Sequence, residues 1–229
     1  MEIGSPDWKN VIVEGARSLG INVQADQADQ FAAHVLILKE WNQKINLTAI
    51  DSPMDMAVKH FLDSIISSRY IEPGSRLLDV GSGAGFPGIP LKVMIPSLDV
   101  TLVDATRKKV SFLNHVIRQL HLGHIRAIHS RIEDLKQEWG GGFDVIVCRA
   151  FSSLDDFSEK SLPLLAPGGL LLAFKGKELA TDLAQVSTRK GTEVLLVTER
   201  NIHTELQMKC VSFKLPFLNL SRTLILLRR

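Results

Sequence analysis

Hydrophobic and polar positions follow two different periods along this 229-residue chain, and the change falls near residue 75. Before it, apolar residues recur every three or four positions. "FAAHVLILKEWNQKI" sets Phe31, Val35, Leu38, Trp41 and Ile45 on one stripe, which predicts an amphipathic helix. "DSPMDMAVKHFLDSIISS" predicts a second helix, with Ser52 as N-cap, Pro53 in the first turn and Asp55 three residues after the cap. Met54, Val58, Phe61 and Ile65 line its apolar face. "EPGS" at 72–75 is the break.

After the break come short apolar runs: "RLLDV", "DVTLVD", "IRAIH", "FDVIVCRA" and "GLLLAFKG". Their near-continuous Val, Ile and Leu content predicts strands covered on both faces, as in a parallel sheet. Helical stretches are predicted between them at 87–95, 106–120, 153–165 and 177–187. "KCVSFKLPF" and "SRTLILLRR" read as a closing antiparallel pair. Alternating strand and helix means a doubly wound α/β sheet. The predicted organisation is a helical extension over 1–75 packed on a core domain over 76–229.

Composition narrows the class. The 45% hydrophobic and 23% charged content suits a globular protein, and no apolar run reaches the roughly 18 residues of a membrane span. The N-terminus has no hydrophobic signal core, and Cys148 and Cys210 lie far apart without a C-x-x-C. A cytoplasmic protein without a metal site is expected, and a monomer. The net charge of +2 is small, but the interval between Asp104 and Glu133 holds no acidic residue. It carries six Lys or Arg, among them Arg107 and Lys108, and four histidines, a segment able to present a basic surface to phosphates.

The candidate chemistry starts at "LLDVGSGAGFPGIPLK", residues 77–92. This strand-turn-helix passage is where doubly wound sheets bind ligands, beyond the carboxyl ends of strands. Gly81, Gly83 and Gly85 leave room for close approach. A dinucleotide turn reads G-x-G-x-x-G, but Phe86 occupies the last glycine position. A phenylalanine crowds a pyrophosphate and can cover a smaller, phosphate-free ligand. Asp79 adds a carboxylate that repels pyrophosphate and attracts an ammonium. S-adenosylmethionine has that character. Asp104 ends the second strand, where a carboxylate can hold ribose hydroxyls. In "SRIEDL", Ile132 can pack on adenine and Glu133–Asp134 can bond its edge. These pieces, in order at strand ends, predict a Rossmann-like class I S-adenosylmethionine-dependent methyltransferase.

"LLDVGSGAGFPGIPL", "SRIED", "CRAFSSL", "EWNQKINLTAI" and "VKHFLDSI" resemble the bacterial ribosomal RNA small subunit methyltransferase G family, also named glucose-inhibited division protein B. The resemblance runs from roughly residue 30 to the C-terminus. It implies methyl transfer from S-adenosylmethionine to N7 of a guanine in the 530 loop of 16S ribosomal RNA. It also implies cofactor contacts at Gly81, Phe86, Ile132, Glu133 and Arg149. The partner expected is small-subunit RNA, met as RNA or as a ribonucleoprotein particle.

N7 chemistry agrees with the residue types. Pyrimidine C5 methylation needs a cysteine nucleophile, yet Cys148 sits inside a strand run. Exocyclic-amine methylases carry a polar-Pro-Pro-aromatic stretch after the fourth strand, where this chain has Arg149-Ala150-Phe151. The N7 lone pair is free at neutral pH, so alignment is the main requirement. Arg149 is placed to meet cofactor or a substrate phosphate, or to pair with Asp144 or Glu133. Lys175 can meet RNA phosphate and Phe151 can stack a base. Asn46, His60 and Asp63 are candidates to close the pocket from the helical region, and His34 is expected to be structural. The alternative functions are methyl transfer to another RNA or to a small molecule, a nicotinamide dehydrogenase, and a non-catalytic assembly factor.

Overall fold

The computed structural model describes residues 1–149, 153–175, 187–190, 193–196 and 207–229. Two helices open the chain, α1 (Pro6–Ser18) and α2 (Ala25–Asn42). The third helical run, here α3, changes its winding three times. Pro53–Asp55 is α-helical, Met56–Leu62 is π-helical, Asp63–Ile65 is α-helical and Ile66–Tyr70 is a 3-10 helix. Its start is the one predicted: the Ser52 hydroxyl accepts the Asp55 amide at 3.4 Å, and Pro53 follows. The π segment is not visible in the three-and-four spacing. Such widened turns occur mostly at functional positions.

The strands are β1 (Arg76–Val80), β2 (Asp99–Asp104), β3 (Ile125–His129), β4 (Phe143–Arg149), β5 (Leu165–Lys175), β6 (Ser187–Lys190), β7 (Glu193–Leu196), β8 (Gln207–Leu215) and β9 (Leu220–Arg228). Helices α4 (Gly88–Met94), α5 (Arg107–Gln119) and α6 (Leu154–Ser161) lie between them. The sheet order is β3-β2-β1-β4-β5-β9-β8-β7-β6, with β1 to β5 parallel and the rest antiparallel. The predicted α/β class and closing pair are present. Two strands, β6 and β7, were not anticipated, because "STRK" and "TEVLL" are too short and mixed to show a period. The helix expected at 177–187 falls on 176–186, outside the described residues, except for Ser187, which begins β6.

Successive side chains of a strand point to opposite faces, and here they enter two different cores. Leu77, Val145, Val147, Leu170, Leu172, Leu224 and Leu226 join the core that holds Trp8, Phe31 and Phe61 of the N-terminal helices. Leu78, Ile146, Cys148, Leu171, Ala173 and Ile225 join the core on the other face, with Phe157 of α6. Trp8 is fully buried, and its indole donates to the Pro53 carbonyl at 2.9 Å. The same alternation puts Asp79, Arg149 and Arg222 on the face of the N-terminal helices. Lys175, in step with Leu171 and Ala173, belongs to the opposite face. No helix among the described residues is long and apolar enough to cross a membrane.

Candidate functional site

At the carboxyl ends of β1 and β2 the backbone folds into a tight cradle. The Gly81 and Ser82 amides donate to the Val103 carbonyl at 2.8 and 3.0 Å. The buried Ser82 hydroxyl donates to the Asp79 carbonyl at 2.8 Å and accepts the Val103 amide at 3.0 Å, tying β1 to β2. Ser82 was missed in the sequence because a serine between glycines looks like filler. The glycines divide by role. A Cβ on Gly81, at φ +69°, meets no atom within 4 Å, and one on Gly83 meets only the Gly81 carbonyl oxygen, at 3.7 Å. That open space leaves the backbone of the turn accessible from outside. Gly85 and Gly88 are packing glycines: a Cβ on Gly85 would press on Ile89 and Leu113, and one on Gly88 on Leu102 and the Asp79 carboxylate.

Asp79 lies fully buried beneath the turn. Its Oδ2 accepts the Gly88 amide at 2.9 Å, whereas Oδ1 is buried without a hydrogen-bond partner. Burial pushes its carboxyl up to about 7, against the Gly88 amide and the Arg149 charge, which favour ionisation. A buried carboxylate oxygen with nothing to accept from is costly and is satisfied by a cationic donor. This orphaned oxygen beside two open glycines fits the ammonium end of S-adenosylmethionine. Asp104 is 6% exposed, and its oxygens take the Gly83 and Thr106 amides at 3.0 and 2.8 Å, with lone pairs left for ribose hydroxyls. Ile132 is buried beyond it. Glu133 is tied to Lys160 at 2.9 Å, which holds its carboxyl below the usual range.

The Asp79 carboxyl gives a prediction. The folded ligand-free protein holds that proton while the unfolded chain, with an ordinary carboxyl, releases it. This group therefore favours the fold below its ordinary pKa and loses that contribution as pH rises to about 7. A cationic ligand selects the ionised form, so S-adenosylmethionine affinity should tighten as pH rises from 5.5 to 7.5, with proton release on binding. Calorimetry in buffers of different ionisation enthalpy measures both, and Asp79→Asn should flatten the profile. A wild-type affinity equal at both ends contradicts the assignment.

The Phe86 ring does not spread over the cradle. It is 6% exposed and stacks on His60, with centroids 4.3 Å apart, and on His34, at 4.7 Å. Burial holds both imidazoles neutral, pushing His34 down to about 4 and His60 to about 3, the latter helped by Arg149. The His34 Nε2 donates to the Ala84 carbonyl at 2.9 Å, which makes it the structural residue expected. His60 Nε2 meets the Thr48 hydroxyl at 3.2 Å.

Arg149 crosses from the end of β4 to α3. It donates to the Lys59 carbonyl at 3.0 Å, the Ser64 hydroxyl at 3.1 Å and the His60 carbonyl at 3.5 Å, and its guanidinium lies 5.9 Å from the Phe86 centroid. Its carboxylate partner is neither Asp144, which pairs with Arg76, nor Glu133, but Asp63 at 3.7 Å. Arg222 of β9 reaches the same Asp63 oxygen at 3.3 Å. Asp63 is 3% exposed and its other oxygen is unpartnered; desolvation raises its carboxyl, against both arginines. Arg222 was missed, although its phase with Leu224 and Leu226 is a usable signal.

Other candidates are more scattered. Asn46 is exposed in the loop after α2; the residue that organises this loop is Asn42. Its side-chain oxygen accepts the Leu47 and Thr48 amides at 2.6 and 3.0 Å, and its amide donates to the Thr48 carbonyl at 2.9 Å. Asn42→Ala should cost about 1–3 kcal/mol by orphaning these groups, read from denaturant unfolding; an unchanged midpoint would contradict this role. Arg107 and Lys108 are exposed at the start of α5, on the edge of the cradle. Arg118, His121 and His124 sit at its other end, about 20 Å away by helical rise, so the basic stretch divides between two ends of the sheet. Arg126 lies over Trp139 at 4.5 Å. Lys175 ends β5 on the face opposite Arg149, and Phe151 lies outside the described residues. No cluster of metal-ligating side chains occurs among the described residues.

The cradle belongs to a known architecture. A SAM-dependent methyltransferase from Aquifex aeolicus superposes with a TM-score of 0.54 at 16% identity, over 85% of this chain and 97% of that one. The fold is thus that of S-adenosylmethionine-dependent methyltransferases. Over 221 residues the chain is 41% identical to the ribosomal RNA small subunit methyltransferase G of Geobacter metallireducens, covering 96% of each. It is 45% identical to the protein of that name from Geotalea uraniireducens over 169 residues, 74% of this chain and 77% of the other. The family model described as rRNA small subunit methyltransferase G matches residues 27–207, which include the cradle, Asp63 and Arg149. The chain belongs to the ribosomal RNA small subunit methyltransferase G family.

Proposed function

We propose that the protein transfers a methyl group from S-adenosylmethionine to N7 of a guanine in the 530 loop of 16S ribosomal RNA, and that it meets this RNA within a ribonucleoprotein particle. Relatives named as small-subunit methyltransferases support the RNA class. The observation that carries the atom is the chemistry at the cradle mouth. Arg149 is held there by α3, the imidazoles of His34 and His60 are buried and neutral, and the Cys148 thiol is 1% exposed in the core of the other face. No thiol nucleophile faces this mouth among the described residues.

Guanine N7 needs none of these groups. Bound S-adenosylmethionine supplies an electrophilic methyl carbon on a sulfonium sulfur. The N7 lone pair forms the new bond as the carbon–sulfur bond breaks, and the positive charge passes from sulfur to the base, so no proton has to leave. What remains for the protein is orientation, which contributes about 7–11 kcal/mol where reactants are well aligned. Asp79 and Asp104 would hold the two ends of the cofactor, and Gly81 and Gly83 would let it close onto the backbone. Arg149 would fix a phosphate or carboxylate at the mouth.

The test is transfer of labelled methyl from S-adenosylmethionine to small ribosomal subunits, and to their RNA, from a strain lacking the modification. Label recovered as N7-methylguanosine in the 530 loop is the expected result. Label in a different nucleoside, or none despite cofactor binding, overturns the reading.

A further inference from the structure

Helix α5 turns one face to the core and another to solvent, and the solvent face is cationic along its whole length. Inward, Val110, Phe112, Leu113, Val116 and Ile117 are buried. Outward, Arg107, Ser111, His115 and Arg118 recur at spacings of four, four and three, one stripe of a helix, with Lys108 beside it. Arg107, Lys108, Ser111 and Arg118 are exposed, and His115 is half-buried. The stripe starts at the edge of the cradle, three residues after Asp104, and reaches Arg118 about 16 Å further on.

These cations are not part of the ion pairing that covers much of the surface. Lys9, Arg17, Lys59, Arg76, Arg126 and Lys160 each lie 2.7–3.7 Å from an Asp or Glu. Among the described residues, Arg107, Lys108 and Arg118 have no carboxylate partner. Lys109, one position on, turns away to Asp104 at 4.0 Å. Carboxylates on the adjoining elements are few. Asp104 takes the Gly83 and Thr106 amides, Asp99 pairs with Arg126, and Glu40 of α2 is exposed one residue before Trp41. The half-buried Trp41 flanks the stripe midway, its ring 5.3 Å from His115 and 5.7 Å from Phe112.

The placement of the first cations is costly for the helix itself. The first turn of α5 holds Arg107, Lys108 and Lys109 and no acidic residue. The positive end of the helix dipole favours carboxylates there and disfavours cations. Local structure gains nothing from this arrangement, whereas an anionic partner gains from both the side chains and the dipole.

We propose that the outer face of α5 is a docking surface for the sugar–phosphate backbone of ribosomal RNA beside the modified loop. Arg107 and Lys108 meet it at the edge of the cradle and Arg118 at the far end, with the Ser111 hydroxyl between them. Phosphate contacts fix register and orientation without reading bases, which is what a reaction limited by alignment requires. The inference rests on the RNA substrate proposed above and adds the path that RNA takes away from the cradle.

The test uses the full chain with S-adenosylhomocysteine bound, and small ribosomal subunits that lack the modification. Affinity is measured over a series of potassium chloride concentrations at fixed magnesium, with cofactor affinity and melting temperature reporting folding. Arg118→Gln should lower the slope of log affinity against log salt by about 0.7, and affinity near 0.1 M salt by about fivefold, as loss of one phosphate contact does. Adding Arg107→Gln and Lys108→Gln should bring the loss of slope to about 2. Arg118→Lys should keep the wild-type slope. So should Lys136→Gln, an exposed cation on the run whose Ile132 and Leu135 enter the other core. Unchanged slopes in the folded Arg118→Gln and triple variants overturn the surface. A Lys136→Gln slope that falls as far as that of Arg118→Gln also overturns it, because net charge rather than contact then sets the slope. A photocrosslinker on Arg118→Cys, in a chain whose own two thiols are buried, should label 16S RNA. Label confined to a ribosomal protein, or no label, overturns RNA as the occupant. Methyl transfer by the wild-type preparation is scored separately. Its absence overturns the proposed function whatever the slopes show, and its presence with unchanged slopes overturns the α5 surface alone.

Discussion

Gly88→Ala should cripple the fold, while Gly81→Ala, seven residues earlier in the same turn, should spare the fold and abolish cofactor binding. A Cβ on Gly88 would overlap the Leu102 side chain and lie 2.7 Å from the Asp79 carboxylate, both fixed in the core. Overpacking of this kind costs about 1–3 kcal/mol, and here it also disturbs the amide that Asp79 accepts. For a chain of this size a loss near the upper end lowers the melting temperature by about 6–12 °C. At Gly81 the added methyl meets nothing, so the protein pays only the left-handed backbone cost of about 1–2 kcal/mol. Its methyl would fill the space by which a ligand reaches the backbone, and S-adenosylmethionine affinity should fall more than tenfold. Differential scanning calorimetry and titration calorimetry on the two variants separate these effects. A Gly81→Ala protein that binds the cofactor as the wild type does would remove this turn from the site.

Removing Asp63 should be as damaging as the Gly88 substitution, for an electrostatic reason. Two guanidiniums converge on one buried carboxylate oxygen, and without it Arg149 and Arg222, each with most of its side chain out of water, are left facing each other. Breaking a buried pair by deleting one partner costs about 3–5 kcal/mol. Asp63→Ala should therefore lose stability by that amount and activity with it. Arg149→Lys offers the complementary measurement. An ammonium can keep the pairing with Asp63, but it cannot donate in a fork to the Lys59 carbonyl and the Ser64 hydroxyl together. It should unfold near the wild-type midpoint and transfer methyl at least tenfold more slowly. An Arg149→Lys enzyme with wild-type turnover would show that only the charge matters.

The cradle was legible because its requirements are local. An apolar strand, a turn stripped of side chains and a proline at the helix entry lie within sixteen residues, and backbone sterics bind such neighbours tightly. The Ser52 cap was legible for the same reason. The roles of individual site residues were less so. Phe86 was expected over the ligand, but its ring stacks on His34 and His60, two residues the sequence puts far from it. Asn42 was passed over for Asn46, since nothing in "WNQKIN" says which amide turns back toward the loop.

By itself the sequence determined which segments are strands and helices over most of the described chain, where the glycine-rich turn lies and which ligand chemistry its residues would suit. Those properties follow from side-chain period and from steric rules that act between near neighbours. The tertiary structure alone decided which charges meet. Arg149 is 85 residues from Ser64, and Arg222 is 159 from Asp63. Many carboxylates and arginines were available as partners at the level of sequence. Strand order and face parity brought one carboxylate and two guanidiniums together, and burial, which makes an unpaired charge expensive, holds them there.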